Sequence, residues 1–314
     1  MPPAQPPSPR RPGNAADASR QATPRAAVAE RIAAGMARLH AGDGDGALAA
    51  FGEAARLATE LGDLAGQSAA LRHQSIVRRQ RSEWEEAIAL AHRAADVARS
   101  AGLRDALAEA YNAEAVVHQS RGAFAEAEAL LAEAHATTAD RRLLGAVLAN
   151  LGSIAAQRGD IEAARVHLIG SAQKFRDSGY ALGEASVLNN LGRLGLDQGN
   201  ARVALPMLQD ALGAARRAGD AELVAIVQRN LAEATGLAGD PDAAESLALT
   251  ALETFTAEGN AARRAECLRI LGELDEARGN RARAVERWRA ALAIADAPPP
   301  ERERIEQRLK SVEG

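Results

Sequence analysis

The chain has a single cysteine, Cys267, in 314 residues, which excludes an internal disulfide and a cysteine-rich metal site. Aromatic residues make up only 3% of it, so its core is not the aromatic and β-branched kind that sheets favour. Lysine is nearly missing, since Lys174 and Lys310 stand alone among 38 basic residues and arginine supplies the rest. The 42 acidic residues leave a net charge of −4, without the basic excess that nucleic-acid or membrane-surface binding uses. No apolar run approaches the length of a membrane span, and the N-terminus lacks the apolar stretch of a signal peptide. The expectation is a soluble cytoplasmic protein with no nucleic-acid and no membrane partner.

Catalytic signatures are also missing. The six histidines (His40, His73, His92, His118, His135, His167) share no spacing that ligates a metal. There is no P-loop, no GxSxG and no GxGxxG between a strand and a helix. Cys267 falls among apolar positions and reads as a small core filler. These absences predict a non-enzymatic protein with no cofactor and no metal.

What the chain does have is glycine, alanine and leucine at a fixed period. Taking Gly199 as position zero, the same frame fits at Gly42, Ser82, Gly122, Gly159, Gly239 and Gly279. The spacings are 40, 40, 37, 40, 40 and 40 residues. Position +5 is alanine every time: Ala47, Ala87, Ala127, Ala164, Ala204, Ala244 and Ala284. Position +12 is Ala54, Ala94, Ala134, Ser171, Ala211, Ala251 and Ala291. Period and register mark a repeat solenoid, and a continuous array overrides the two-domain count that length alone suggests.

Each frame holds two helices, because glycines recur at 0 and +20 and close a helix in the left-handed conformation. Asp43, Asp160, Asn200, Asp240 and Asn280 follow as N-caps, and Pro241 falls at a first helical position. Repeat three is short and has Arg142 in place of glycine, so the turn at 138–142 should differ. Pro206 lies inside a helix and predicts a kink or a frayed first turn. Residues 1–23 are Pro-rich and expected to be a disordered tail, residues 24–297 form seven repeats, and residues 298–314 form a linker and a capping helix. On that last helix Ile305, Leu309 and Val312 share a face.

In the first helices, positions −12, −8 and −5 form an apolar stripe: Val147, Leu151, Ile154; Val187, Leu191, Leu194; Cys267, Leu271, Leu274. Position −7 is always small (Gly35, Ser75, Ala115, Gly152, Gly192, Ala232, Gly272) and +9 carries bulk in Phe51, Leu131, Leu168, Leu208 and Trp288. Small-Leu-Gly in the first helix, Gly-Asp at the turn and alanine at +5 and +12 resemble the tetratricopeptide repeat family. The long period is similar to the extended repeats of kinesin light chains, spindle-orientation adaptors and bacterial regulatory proteins. One departure is that the family's aromatic at −4 is replaced by Arg38, Arg78, His118, Ala155, Gly195, Thr235 and Asp275. The resemblance implies an all-α, right-handed α-solenoid of seven helix hairpins whose first helices line the concave face.

Positions −13, −10, −9, −6 and −2 point away from the apolar stripe. Position −9 holds Asn150, Asn190 and Asn230 in consecutive repeats, although asparagine is a poor interior helix residue. An Asn side chain matches the N–H and C=O of an extended backbone. The resemblance implies that use, since related adaptors hold extended peptides on the asparagines of an Asn-Leu-Gly motif. The alternative is that these asparagines bond only to neighbouring repeats. Position −10 adds Arg72, Asn112, Asn189, Arg229 and Arg269, and −6 adds Arg193. Guanidinium groups pair bidentately with carboxylates, so the arginines suit an acidic partner. The family's chaperone-binding carboxylate clamp is not matched, because its lysines are absent. The expected function is a protein-protein interaction scaffold that binds a partner peptide or segment in its concave groove. The alternative is a regulatory sensor of a small peptide that acts through a partner, and a third reading is self-association through the solenoid ends.

Overall fold

The computed structural model describes residues 15–294 and 299–313, nearly all helical and with no strand among them. The chain divides into two compact units, Met1–Thr138 and Ala139–Gly314. The first holds three helix hairpins: α1 (Ala15–His40) with α2 (Gly44–Glu60), α3 (Leu64–Gln80) with α4 (Trp84–Ser100), and α5 (Arg104–Ser120) with α6 (Phe124–Thr137). The second unit holds four: α7 (Arg141–Gln157) with α8 (Ile161–Asp177), α9 (Ala181–Asp197) with α10 (Ala201–Ala218), α11 (Ala221–Leu237) with α12 (Pro241–Ala257), and α13 (Ala261–Ala277) with α14 (Arg281–Leu292). A last helix, α15 (Pro299–Glu313), follows. This is an all-α repeat solenoid. Helix α1 starts ahead of Pro24, and the part of the Pro-rich tail before Ala15 lies outside the described residues.

The hairpin turns follow from one glycine and one cap. At Gly199 the backbone is left-handed, φ 67°. Its N–H reaches Leu196 O at 2.8 Å, and the Asn200 N–H reaches Gly195 O at 2.8 Å, which satisfies the last carbonyls of α9. Asn200 then opens α10, its side chain accepting the Val203 N–H at 3.2 Å. Asp43, Asp160 and Asp240 cap in the same way, whereas Asn280 occupies the cap position without a side-chain bond. Ser82 makes the same turn at φ 59°, a conformation that costs a residue with a Cβ about 1–2 kcal/mol. The turn after α6 is different, as the missing glycine predicted: Thr138 is extended (φ −106°, ψ 153°) and Asp140 caps α7.

Burial explains the alanine columns. Every residue at +5 and +12 is completely buried. The small column at −7 and the bulky column at +9 are two halves of one contact. A methyl group at Gly35 would meet Phe51 at 2.5 Å, at Gly152 Leu168 at 2.7 Å, at Gly192 Leu208 at 2.4 Å, and at Gly272 Trp288 at 2.3 Å. These four hairpins close by seating a bulky +9 side chain on a −7 glycine. Position −4, where the aromatic is missing, packs by other means. A methyl group at Gly195 would meet the backbone nitrogen of Ala204 at 3.2 Å. Asp275 is buried beside Arg287 at 2.9 Å.

Pro206 leaves α10 helical from Ala201 onward, so the frayed first turn does not occur. Pro206 and Arg202, whose carbonyl loses a partner, are both exposed, so solvent can reach the freed carbonyl. Between hairpins, α1 touches α3 and α3 touches α5, while in the second unit the chain of contacts runs α7, α9, α11, α13, α15. Successive second helices do not approach one another, so within each unit the first helices form the inner wall. Helix α15 buries Ile305 against Ala265, Ala284, Trp288 and Ala291, with Leu309 and Val312 beside it, and closes the apolar end of α13 and α14.

Candidate functional site

In the first unit the inner wall carries Arg72 on α3 and Asn112 on α5. Arg72 Nη2 pairs with Glu109 at 3.1 Å, and Asn112 is half-buried with a partner in the chain. His73, at position −9, is buried and stacked on Phe51 with ring centroids 5.1 Å apart. Burial, and after it the neighbouring Arg72 charge, pushes its imidazole down to about 4.

In the second unit the three register-matched asparagines meet different surroundings. Asn190 on α9 is exposed and makes no hydrogen bond among the described residues. Asn150 on α7 is half-buried and has a partner in the chain. Asn230 on α11 is 0% exposed and donates from Nδ2 to Asn189 Oδ1 at 2.7 Å, leaving its own Oδ1 without a hydrogen bond. The structure thus joins two predicted residues, Asn189 and Asn230, across adjacent repeats.

The arginines are similarly engaged. Arg229, 6% exposed, pairs with Glu266 at 3.1 Å, and burial holds its pKa below the ordinary value against that attraction. Arg193 reaches Asp197 at 2.9 Å and Glu233 at 3.6 Å. Arg269 binds Glu301 at 2.6 Å, Glu273 at 2.7 Å and Glu233 at 3.5 Å. Burial opposes its charge, but Glu273, Glu233 and Glu301 together hold its pKa above the usual arginine value. The glutamates that complete this network were missed at the level of sequence. The signal for Glu233 and Glu273 was position −6, which runs Arg193, Glu233, Glu273 along three consecutive repeats, whereas Glu266 and Glu301 lie outside that column.

The wall therefore changes character along the second unit. Ala146, Ala149, Asn150, Ser153 and Gln157 on α7 are uncharged, while α11 and α13 carry internally matched charges between Ile226, Leu237 and Ile270. No group of three His, Cys, Asp or Glu among the described residues is placed to hold a metal. No helix among them is long and apolar enough to cross a membrane.

The tetratricopeptide repeat family model matches residues 143–217 and 185–257. Residues 143–257 carry tetratricopeptide repeats. A search of curated proteins returns no match. Among solved structures, the tetratricopeptide hairpins resemble BtubC (BKLC) from P. vanneervenii at 24% identity and a TM-score of 0.59, over 67% of this chain and 90% of that one. The apo quorum sensor NprR from B. thuringiensis superposes with a TM-score of 0.65 at 14% identity, over 87% and 77% of the two chains. Aspartyl phosphate phosphatase F from Bacillus subtilis gives 0.63 at 13% identity, over 89% and 73%. At these identities the likeness is one of fold.

Proposed function

We propose that this tetratricopeptide repeat chain is a non-enzymatic scaffold that holds a segment of a partner protein or peptide on the inner wall of its first helices. The observation that carries the reading is Asn190, an exposed amide without a partner on a wall flanked by Asn189 and Asn230. An amide that a helix tolerates poorly, and that nothing in the chain satisfies, suits the backbone of an extended guest. Asn150, Asn112, Arg72 and Arg193 extend the contact surface within their own units. Arg229, Arg269 and Asn230 support it from behind. Because the arginines are matched by the chain's own glutamates, a net preference for an acidic guest is not part of the proposal.

The test separates the asparagines. A partner captured from the native host should be lost on Asn190→Ala with the melting temperature unchanged. Asn230→Ala should instead lower the melting temperature, by about 1–3 kcal/mol of stability, since it strands Asn189. Undiminished capture by Asn190→Ala would reject the role. A second reading, a sensor of a small peptide acting through a partner, is favoured by the likeness to the quorum sensor NprR. It requires the solution radius to change on peptide binding, and a bound peptide that leaves the radius unchanged counts against it.

A further inference from the structure

Arg79 lies near the end of α3 at position −3, on the face that also carries Arg72 at −10 and Ile76 at −6. Each inner-wall arginine described above has a carboxylate of the chain within 3.1 Å. Arg79 is different. It is half-buried, and its guanidinium makes no ion pair and no hydrogen bond among the described residues. Burial pulls its pKa below the ordinary arginine value, with no carboxylate to oppose the shift.

The cause is on the neighbouring first helix. Arg72 at −10 of α3 meets Glu109 at −13 of α5, and Arg229 at −10 of α11 meets Glu266 at −13 of α13. Seven residues further, about two helical turns, the same offset sets Arg79 against position −6 of α5. That position is Val116, an aliphatic side chain where the other two arginines find a glutamate. Val116 and Ile76 are half-buried, and Met36 continues their column on α1 at 38% exposed. The first unit thus presents a guanidinium without a counter-ion beside accessible aliphatic surface. A half-buried charge without a partner is costly, and a carboxylate from outside the chain removes that cost.

We propose that the first unit binds an acidic side chain of a guest segment on Arg79, with an aliphatic neighbour of that side chain lying on Ile76 and Val116. The proposal rests on the inner wall as the peptide-holding surface and adds to it a charge preference at one place. The matched arginines of the wall carry no such preference, because the chain's own carboxylates answer them.

The probes are four short rhodamine-labelled peptides, identical except for a central Leu-Glu, Leu-Gln, Leu-Lys or Ser-Glu pair, read by fluorescence anisotropy on the full chain. Leu-Glu should bind about tenfold tighter than Leu-Gln and Leu-Lys, and added salt should narrow that gap. Ser-Glu should bind more weakly than Leu-Glu, and equality there overturns the aliphatic contact. Arg79→Gln should make Leu-Glu and Leu-Gln bind alike, at a melting temperature equal to or above that of the unchanged chain. Val116→Glu supplies a carboxylate from within, as Glu109 does for Arg72, and should erase the preference as well. Equal binding of Leu-Glu and Leu-Gln by the unchanged chain overturns the proposal and leaves the inner-wall reading standing. So does a preference that survives both variants, or one lost in both only together with a lowered melting temperature. Binding by none of the four also overturns it, while the inner-wall reading stands or falls on partner capture by Asn190→Ala.

Discussion

Gly192 sits beneath Leu208 with no room for a methyl group, since a Cβ there would come within 2.4 Å of Leu208 Cγ. Alanine at this position gains about 1 kcal/mol in helix propensity and loses about 1–3 kcal/mol to overpacking, so the overlap prevails. Gly192→Ala is therefore expected to lower stability, and the second change Leu208→Ala should recover part of that loss in a double-mutant cycle followed by urea denaturation. Additive losses would show that the two positions do not form one contact. His73 makes a separate residue-scale prediction. Its folded pKa is about 4, against 6.5 for the free side chain. Between those values the unfolded chain binds a proton that the folded chain refuses, so its contribution is complete above about pH 6.5 and is lost as pH falls toward 4. The drop should approach about 3 kcal/mol, and His73→Asn should flatten the melting-temperature profile between pH 7 and 5. The small-against-large pairing was legible in the sequence because both halves recur in register. The fate of the asparagine column was not: register fixes where a side chain points from its own helix, whereas Asn230 is buried and bonded to Asn189 of α9 by the packing of the next repeat.

At the scale of elements, α15 is the least hydrophobic helix to be held in place, and its attachment combines one buried isoleucine with one buried guanidinium. Arg269 draws Glu301 of α15, Glu273 of its own helix and Glu233 of α11 to itself. Arg269→Met preserves volume but strands Glu273 and Glu301, and breaking a buried pair in this way costs about 3–5 kcal/mol. The expected result is fast amide exchange throughout α15 together with a lower melting temperature. A melting temperature equal to that of the unchanged chain would mean that the network is ornamental. The helices, their glycine stops and most of their caps could be read from sequence because each is decided within a few residues. The ion pairs could not, because an arginine's partner depends on how closely the next helix packs, and helices spaced at about 8–10 Å leave several carboxylates in reach. Pro206 shows the same limit, since the cost of its lost bond depends on whether water can reach Arg202, and burial is a tertiary property.

For the whole molecule, contacts that run only between neighbouring hairpins make stability a sum of hairpin terms and nearest-neighbour terms. Residues 139–314 contain four hairpins, the last end-capped by α15, with their apolar stripes buried inside the unit. This segment is expected to fold when expressed alone, giving a helical circular-dichroism spectrum and one cooperative thermal transition. A broad, non-cooperative melt would show that the unit depends on the rest of the chain. The fragment also divides the proposed binding surface cleanly. It keeps Asn150, Asn189, Asn190, Arg193, Arg229, Asn230 and Arg269 and discards Arg72 and Asn112. If the exposed amide of Asn190 alone carries recognition, the isolated unit should bind the captured partner within about threefold of the full chain, a difference of less than about 1 kcal/mol. A fragment that folds but binds far more weakly would move the weight of recognition onto Arg72, Asn112 and the hairpins around them.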